Sequence, residues 1–165
     1  MALTQERLRS LLYYDPNTGW FTNRVTRANT VVGEIAGYKH YASNHWYIMV
    51  DYKKYKAHRL VWLYYYGTWP NGEIDHINGD GIDNRLDNLR ECTHQENGRN
   101  TKRRIDNTSG KRGVYFDKKN RKWRAYIGID GRNRFIGSRY DTIEEAIAAR
   151  KLAETEFFGE FRGRG

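Results

Sequence analysis

The chain has 165 residues, a mass of 19.6 kDa, a formal charge of +9 and a pI near 9.7. That is room for one ordinary domain or two small ones, with a bias toward a polyanionic partner over an acidic or neutral one. Cys92 is the sole cysteine, which excludes an intramolecular disulfide and a cysteine-rich zinc knuckle, so any metal must be held mainly by oxygen and imidazole ligands.

The positive charge belongs to one segment. Residues 99–139 hold 14 Lys/Arg against 3 Asp/Glu, and the remainder holds 15 against 17. No apolar run approaches the roughly 18 to 20 residues that span a bilayer. The N-terminus lacks a charged-then-apolar signal pattern, so the expectation is a soluble cytoplasmic protein with no membrane partner.

In chain order, residues 4–13 place Leu8, Leu11 and Leu12 on one helical face behind a Thr4 cap, and Asp15-Pro16-Asn17-Thr18-Gly19 signals a turn. Residues 30–45 show only weak periodicity. Trp46–Val50 and Tyr55–Ala57 predict a hairpin, and Arg59–Tyr66 an apolar and aromatic helix that Gly67 ends. Ile74-Asp75-His76 and Leu89–Cys92 predict two short strands around a turn at Asn78–Gly81. Thr93-His94-Gln95-Glu96 has the capping-box form and puts Asn97 in the early turns of a helix.

After a polar, basic connector, Val114–Phe116, Trp123–Ile129 and Arg134–Ile136 predict three antiparallel strands, with Asp130-Gly131 as a hairpin turn. Asp141 or Thr142 caps a helix running to about Phe158, whose Ala146, Ala149 and Ala153 offer a small-residue face. The fold class is therefore α+β. An N-terminal helix and hairpin region occupies 1–54, a two-strand and helix core 55–100, a basic linker 101–109, and a three-stranded sheet packed on one helix 110–161.

Alternation in the middle strand puts Trp123, Ala125, Ile127 and Ile129 on one face and Lys122, Arg124, Tyr126 and Gly128 on the other. With the helix on the first face, the second stays basic. Such a sheet suits the major groove, where Arg and Lys reach phosphates or guanine edges. An ordinary solvated face mixes both signs, whereas this segment is one-sided.

The cluster from 75 to 97 carries chemistry. Asn88 and Asn97 follow His76 by 12 and 21 residues, so one imidazole, one carboxylate and two amides can converge on a phosphate-sized site. Hydrolysing a phosphodiester needs a nucleophilic water, a base for its proton and positive charge near the phosphate oxygens. His76 can be the base, Asp75 and Asn97 are hard oxygen ligands for one Mg²⁺ or Mn²⁺, and Asn88 can fix the imidazole tautomer.

These residues match a known pattern. His58-Arg59-Leu60-Val61-Trp62, Ile74-Asp75-His76-Ile77-Asn78-Gly79-Asp80, Asp83-Asn84-Arg85-Leu86-Asp87-Asn88-Leu89-Arg90 and Glu96-Asn97 resemble the phage-type HNH endonucleases with a ββα-metal site. Ser109–Tyr115, Lys122-Trp123-Arg124-Ala125, Ile136-Gly137 and Glu144-Glu145-Ala146 through Phe158-Gly159-Glu160-Phe161 resemble the AP2 DNA-binding domain. The resemblance implies a double-stranded DNA endonuclease of the homing or nicking type that leaves a 3′-hydroxyl and a 5′-phosphate and needs no small-molecule cofactor. Its location would be the host cytoplasm if the gene is a phage's. His76 would be the base, Asp75 and Asn97 the metal ligands, and Asn88 the residue orienting His76. Two departures stand out: Asn97 replaces the final His of the motif, and Ser138-Arg139-Tyr140 replaces the usual aromatic after the third strand's Gly.

The DNA contacts expected are Arg59, Arg112, Tyr115, Lys122, Arg124, Tyr126, Arg132 and Arg134. His58 is as compatible with anchoring the fold as with phosphate contact, and His94 with the surface. Asp83 and Asn84 are read as organising their loop, and Trp62–Tyr66 as core. The competing class is a catalytically inactive DNA-binding regulator, and RNA as substrate is a third reading. Oligomeric state and recognition sequence are not written in these motifs.

Overall fold

The structure, a computed structural model, describes residues 2–27, 30–99 and 109–161 and divides into two compact units, 1–94 and 95–165. The basic connector expected at 101–109 lies, apart from Ser109, outside the described residues.

The first unit opens on helix α1 (Gln5–Leu11), capped by the Thr4 hydroxyl, which accepts from the Arg7 amide. The apolar spacing predicts helix through residue 13. It stops at Leu11 because β1 (Leu12–Asp15) pairs antiparallel with β2 (Trp20–Asn23). In the turn between them the Asp15 carboxylate accepts from the Asn17 amide and the Thr18 hydroxyl. Gly19 there is left-handed at φ +76°, and a Cβ on it would lie 2.5 Å from the Arg85 backbone nitrogen. The hairpin turn therefore sits directly on the loop at 84–85.

A three-stranded meander follows: β3 (Tyr38–His40), β4 (His45–Val50) and β5 (Lys53–Lys56). β3 falls in the stretch with weak periodicity because all three of its residues are exposed, so there is no buried alternation to read. Helix α2 (Ala57–Tyr66) ends at Gly67, a left-handed cap whose amide donates to the Leu63 carbonyl. Strands β6 (Glu73–His76) and β7 (Leu89–Cys92) pair antiparallel, and α3 (His94–Arg99) follows. Leu8, Leu12 and Phe21 share one core with Val50, Leu60, Val61, Ile74 and Leu89. The N-terminal 54 residues thus fold with the segment that follows them, on a common apolar interior. Of the aromatic run, Leu63 is buried and Trp62 and Tyr64 are half-buried, while Tyr65 and Tyr66 are exposed.

In the second unit β8 (Val114–Asp117), β9 (Lys122–Ile129) and β10 (Arg132–Tyr140) form an antiparallel sheet in the order β10-β9-β8. Helix α4 (Ile143–Phe158) begins with a complete capping box between Thr142 and Glu145. Ala125 packs with Ala146, and Ile127 with Ala153 and Phe158, so the small-residue face of α4 lies on the sheet. β10 runs longer than the sequence predicts, through a bulge at Gly137 where the Tyr140 hydroxyl donates to the Ile136 carbonyl. Among the described residues no helix is long and apolar enough to cross a membrane.

One buried ionic group ties α4 to the strand side. Glu154 accepts from Lys111 Nζ at 3.0 Å and from Arg150 Nε at 2.9 Å, and all three residues are buried. Arg150 also donates to the Tyr126 carbonyl of β9. Replacing Glu154 by Ala leaves two buried cations without their shared anion, and the expected cost is about 3–5 kcal/mol of second-unit stability. Denaturant unfolding that shows the variant within about 0.5 kcal/mol of wild type would overturn this account.

Candidate active site

β6 delivers Asp75 and His76 side by side, and both are buried. Asp75 stands opposite Arg90 in the β6–β7 ladder, and the guanidinium holds Oδ2 through Nε at 3.0 Å and Nη2 at 2.8 Å. His76 Nε2 meets Asn84 Oδ1 at 3.3 Å. Asn84 is 1% exposed; its Nδ2 donates to the Ile82 carbonyl, and its own carbonyl accepts from the Tyr14 hydroxyl at 2.9 Å. With the amide nitrogen committed to Ile82, the oxygen faces the imidazole, so Nε2 carries the proton and Nδ1 keeps the lone pair. Burial pushes the His76 pKa down, with the Asn84 bond opposing it, so the ring is neutral at pH 7 and able to accept a proton.

The loop between the two strands is held by short-range side-chain to backbone bonds. Asn88 Oδ1 accepts from the Asn78 amide at 2.9 Å, and its Nδ2 donates to Asn78 Oδ1 and to the Asp83 carbonyl. Asp83 binds Asn78 and Arg85, and the Arg85 guanidinium holds its carboxyl down at about 2. Asn88, expected to orient His76, thus makes these bonds to the loop, while Asn84, read as a loop residue, meets the ring. A Cβ on Gly81 would lie 2.3 Å from the Asn44 carbonyl, so this loop also abuts the turn between β3 and β4.

That contact brings His45 to the site. The rings of His45, His58 and His76 are packed edge-to-face, with centroids 4.9 Å apart for His58–His76, 5.2 Å for His45–His58 and 5.8 Å for His45–His76. His58 is buried, and its Nδ1 has no hydrogen-bond partner among the described residues. Burial first, then the neighbouring His76 and His45, push its pKa down to about 2. His45 is lowered by burial too, and its Nδ1 bonds the Ser43 carbonyl. The sequence offered no signal for His45, which lies in the weakly patterned stretch and matches no motif.

The remaining expected residues are distributed as follows. Asn97 lies on α3, half-buried, in the second unit. Arg59 donates to the backbone carbonyls of Gly72 at 3.1 Å and Pro70 at 3.4 Å, so it braces the approach to β6. His94 is an exposed residue paired with Glu73. Tyr115 stands opposite Arg124, and Tyr126 opposite Phe135, so these share the outer sheet face with Lys122. The Arg124 guanidinium lies 3.8 Å above the Phe135 ring, and its Nε has no hydrogen-bond partner among the described residues. Lys122 pairs with Asp141, and Arg112 donates to the Gly98 carbonyl. Arg132 and Arg134 stand opposite Ile129 and Ile127. They therefore point to the face that α4 covers and do not join Arg124.

A buried neutral histidine beside a carboxylate, on the first strand of a β6-β7-α3 succession with an Asx-braced loop, defines the class. Residues 55–99 match the HNH endonuclease family, and the chain carries an HNH endonuclease domain there. It is also 34% identical to Protein 3.8 of Escherichia phage T7 over 111 residues, 67% of this chain and 90% of that protein. The chain belongs to the same family as that phage protein. No solved structure matches it.

The histidine packing has a thermodynamic consequence. His58 has an ordinary unfolded value of 6.5 and a folded value pushed down to about 2. Between these the unfolded chain binds more protons, so stability is full above the unfolded value and falls as pH drops below it. For His58 alone the slope approaches about 1.4 kcal/mol per pH unit. Metal-free protein is expected to melt progressively lower from about pH 7 to about pH 5, and His58→Leu to flatten that dependence. A wild-type stability independent of pH across this window would contradict the buried neutral ring.

Proposed function

We propose that the protein is a divalent-cation-dependent DNA endonuclease of the homing or nicking type, cutting to leave a 3′-hydroxyl and a 5′-phosphate. The observation that carries this is His76: buried, neutral, with Nε2–H donated to Asn84, the tautomer in which Nδ1 is the basic nitrogen. Asn84 is a positioning residue. It selects the tautomer, and Tyr14 and Ile82 in turn hold Asn84. Asn88 acts by fixing the loop, through Asn78 and Asp83, that carries Asn84.

The donor set suits a hard cation. Asp75 contributes a carboxylate that Arg90 orients, and the sequence motif alone assigns Asn97 as an amide-oxygen ligand; both are oxygen donors of the kind Mg²⁺ or Mn²⁺ prefers. When bound, such an ion supplies positive charge to the phosphate oxygens and the leaving 3′ oxygen. This chain's own residues activate the water and hold the loop.

Residues 110–161, whose sequence resembles the AP2 domain, are assigned to holding double-stranded DNA. The outer sheet face presents Tyr115, Lys122, Arg124 and Tyr126, with Arg112 nearby in sequence. Arg124 stacked on Phe135 keeps a planar guanidinium edge available to a phosphate or a guanine. Arg132 and Arg134, on the other face, are not part of this surface.

Supercoiled plasmid containing the cognate site, incubated with protein and Mg²⁺ or Mn²⁺, tests the reading. Metal-dependent nicking or linearisation is expected, abolished by chelator and reduced by about 10²–10⁴-fold in His76→Ala. Binding without cleavage would instead mark an inactive DNA-binding regulator. Asn84→Asp places an anion on Nε2–H and raises the His76 pKa, so the acid limb of the pH–rate profile moves to higher pH. An unmoved limb removes Asn84 from the mechanism. Lys122→Ala with Arg124→Ala should weaken DNA binding and lower its salt slope by roughly one unit per lost phosphate contact, and an unchanged slope would mean another surface holds the DNA.

A further inference from the structure

The proposed hydrolytic site leaves two imidazoles unused, the half-buried His45 and the buried His58. His45 comes from β4, His58 from α2 and His76 from β6, yet each offers a ring nitrogen to a common region, and these atoms all lie within 4.8 Å of one another. Two of the three rings already have their N–H bonded outward. His45 Nδ1 faces the Ser43 carbonyl, and His76 Nε2 faces the Asn84 amide oxygen. In these tautomers Nε2 of His45 and Nδ1 of His76 are the basic nitrogens. An outward bond of this kind to a carbonyl or amide oxygen is how metal-ligating histidines are oriented. The third ring is 3% exposed, and its Nδ1 is buried with no hydrogen-bond partner among the described residues. A buried polar atom left unpaired calls for an explanation, and an unfilled ligand role is one.

We infer that His45, His58 and His76 form a three-histidine site for a borderline first-row cation, Zn²⁺ in the first instance, using a donor set distinct from the oxygen ligands proposed for Mg²⁺. Imidazole nitrogen selects Zn²⁺ or Co²⁺ over Mg²⁺. A tetrahedral ion about 2.0–2.1 Å from each nitrogen needs them roughly 3.3 Å apart, so the rings close by at most about 1.5 Å, and a fourth position stays open. The ion would occupy the imidazole that takes the proton, so Zn²⁺ at this site and base action by His76 exclude each other. That consequence alone rests on the hydrolytic reading; the binding does not.

The test titrates metal-free full-length protein with Co²⁺ in excess Mg²⁺, which keeps the oxygen site supplied. The expected result is one equivalent of Co²⁺ with visible ligand-field bands. Affinity should fall at least about tenfold in His45→Ala and in His58→Ala, and stay unchanged in Asn97→Ala. Absence of a bound equivalent, wild-type affinity in folded His45→Ala or His58→Ala, or loss of binding in Asn97→Ala would each overturn the proposal. Either histidine variant could unfold, so X-ray absorption of the Zn²⁺-loaded wild type gives an independent count. Three imidazoles per zinc support the site, and fewer refute it. In the plasmid assay Zn²⁺ should then suppress Mg²⁺-dependent cleavage. A protein that binds Co²⁺ as stated but never cuts DNA would refute the nuclease reading and leave the metal site standing.

Discussion

The hydrogen bond between His76 Nε2 and Asn84 Oδ1 is the constraint on which the proposed role of His76 depends. An imidazole can lose or gain its proton at either nitrogen, and only a fixed partner decides which one meets the water. Asn84 is a good arbiter because it has no freedom of its own. Its amide nitrogen is spent on Ile82, its carbonyl on the Tyr14 hydroxyl, and the Gly19 turn lies against its backbone. Burial of Tyr14 pushes its phenol up to about 12, so that hydroxyl stays a donor at any working pH. The N-terminal helix and hairpin, which carry none of the motif residues, therefore help to fix the tautomer of His76, the residue proposed as the base.

Much of this architecture was legible. Where an element announces itself by alternation or by a cap, as in β9, α4 with Thr142 and Glu145, or α2 with Gly67, sequence and structure agree to within a few residues. The failures have a common cause. β3 is exposed throughout, Leu12 continues a helical spacing although it pairs in a strand, and β10 passes through a bulge that breaks its period. In each case pairing with a partner strand, which no local pattern encodes, overrode the spacing.

At the site the same limit applies to partners. Asp75, His76, Asn88 and Asn97 stand out by type and spacing, but spacing does not say which amide reaches the ring. Asn84 and Asn88 are four residues apart in one polar loop, and both look equally suited. Only the folded loop shows that Asn88 is consumed by Asn78 and Asp83. Likewise Arg132 and Arg134 belong to the basic segment, yet the register of β10 on β9 sends them to the helix side. Charge counts identify a segment, whereas register identifies a face.

Charge is unevenly divided between the two units. Residues 1–94 carry 11 Lys/Arg and 10 Asp/Glu, close to neutral, whereas residues 95–165 carry 18 against 10. A nearly neutral surface holding a buried carboxylate has little intrinsic attraction for a phosphodiester backbone. Several of the first unit's cations are also committed: Arg90 to Asp75, Arg85 to Asp83, and Arg59 to backbone carbonyls. Under the proposed nuclease reading, positive charge at a phosphate would be supplied by a bound cation, and retention of the polymer by the basic residues of 95–165. On the proposed division of labour, salt would act on DNA retention far more than on proton transfer at His76, because the imidazole is buried and Nε2 bonds an uncharged amide.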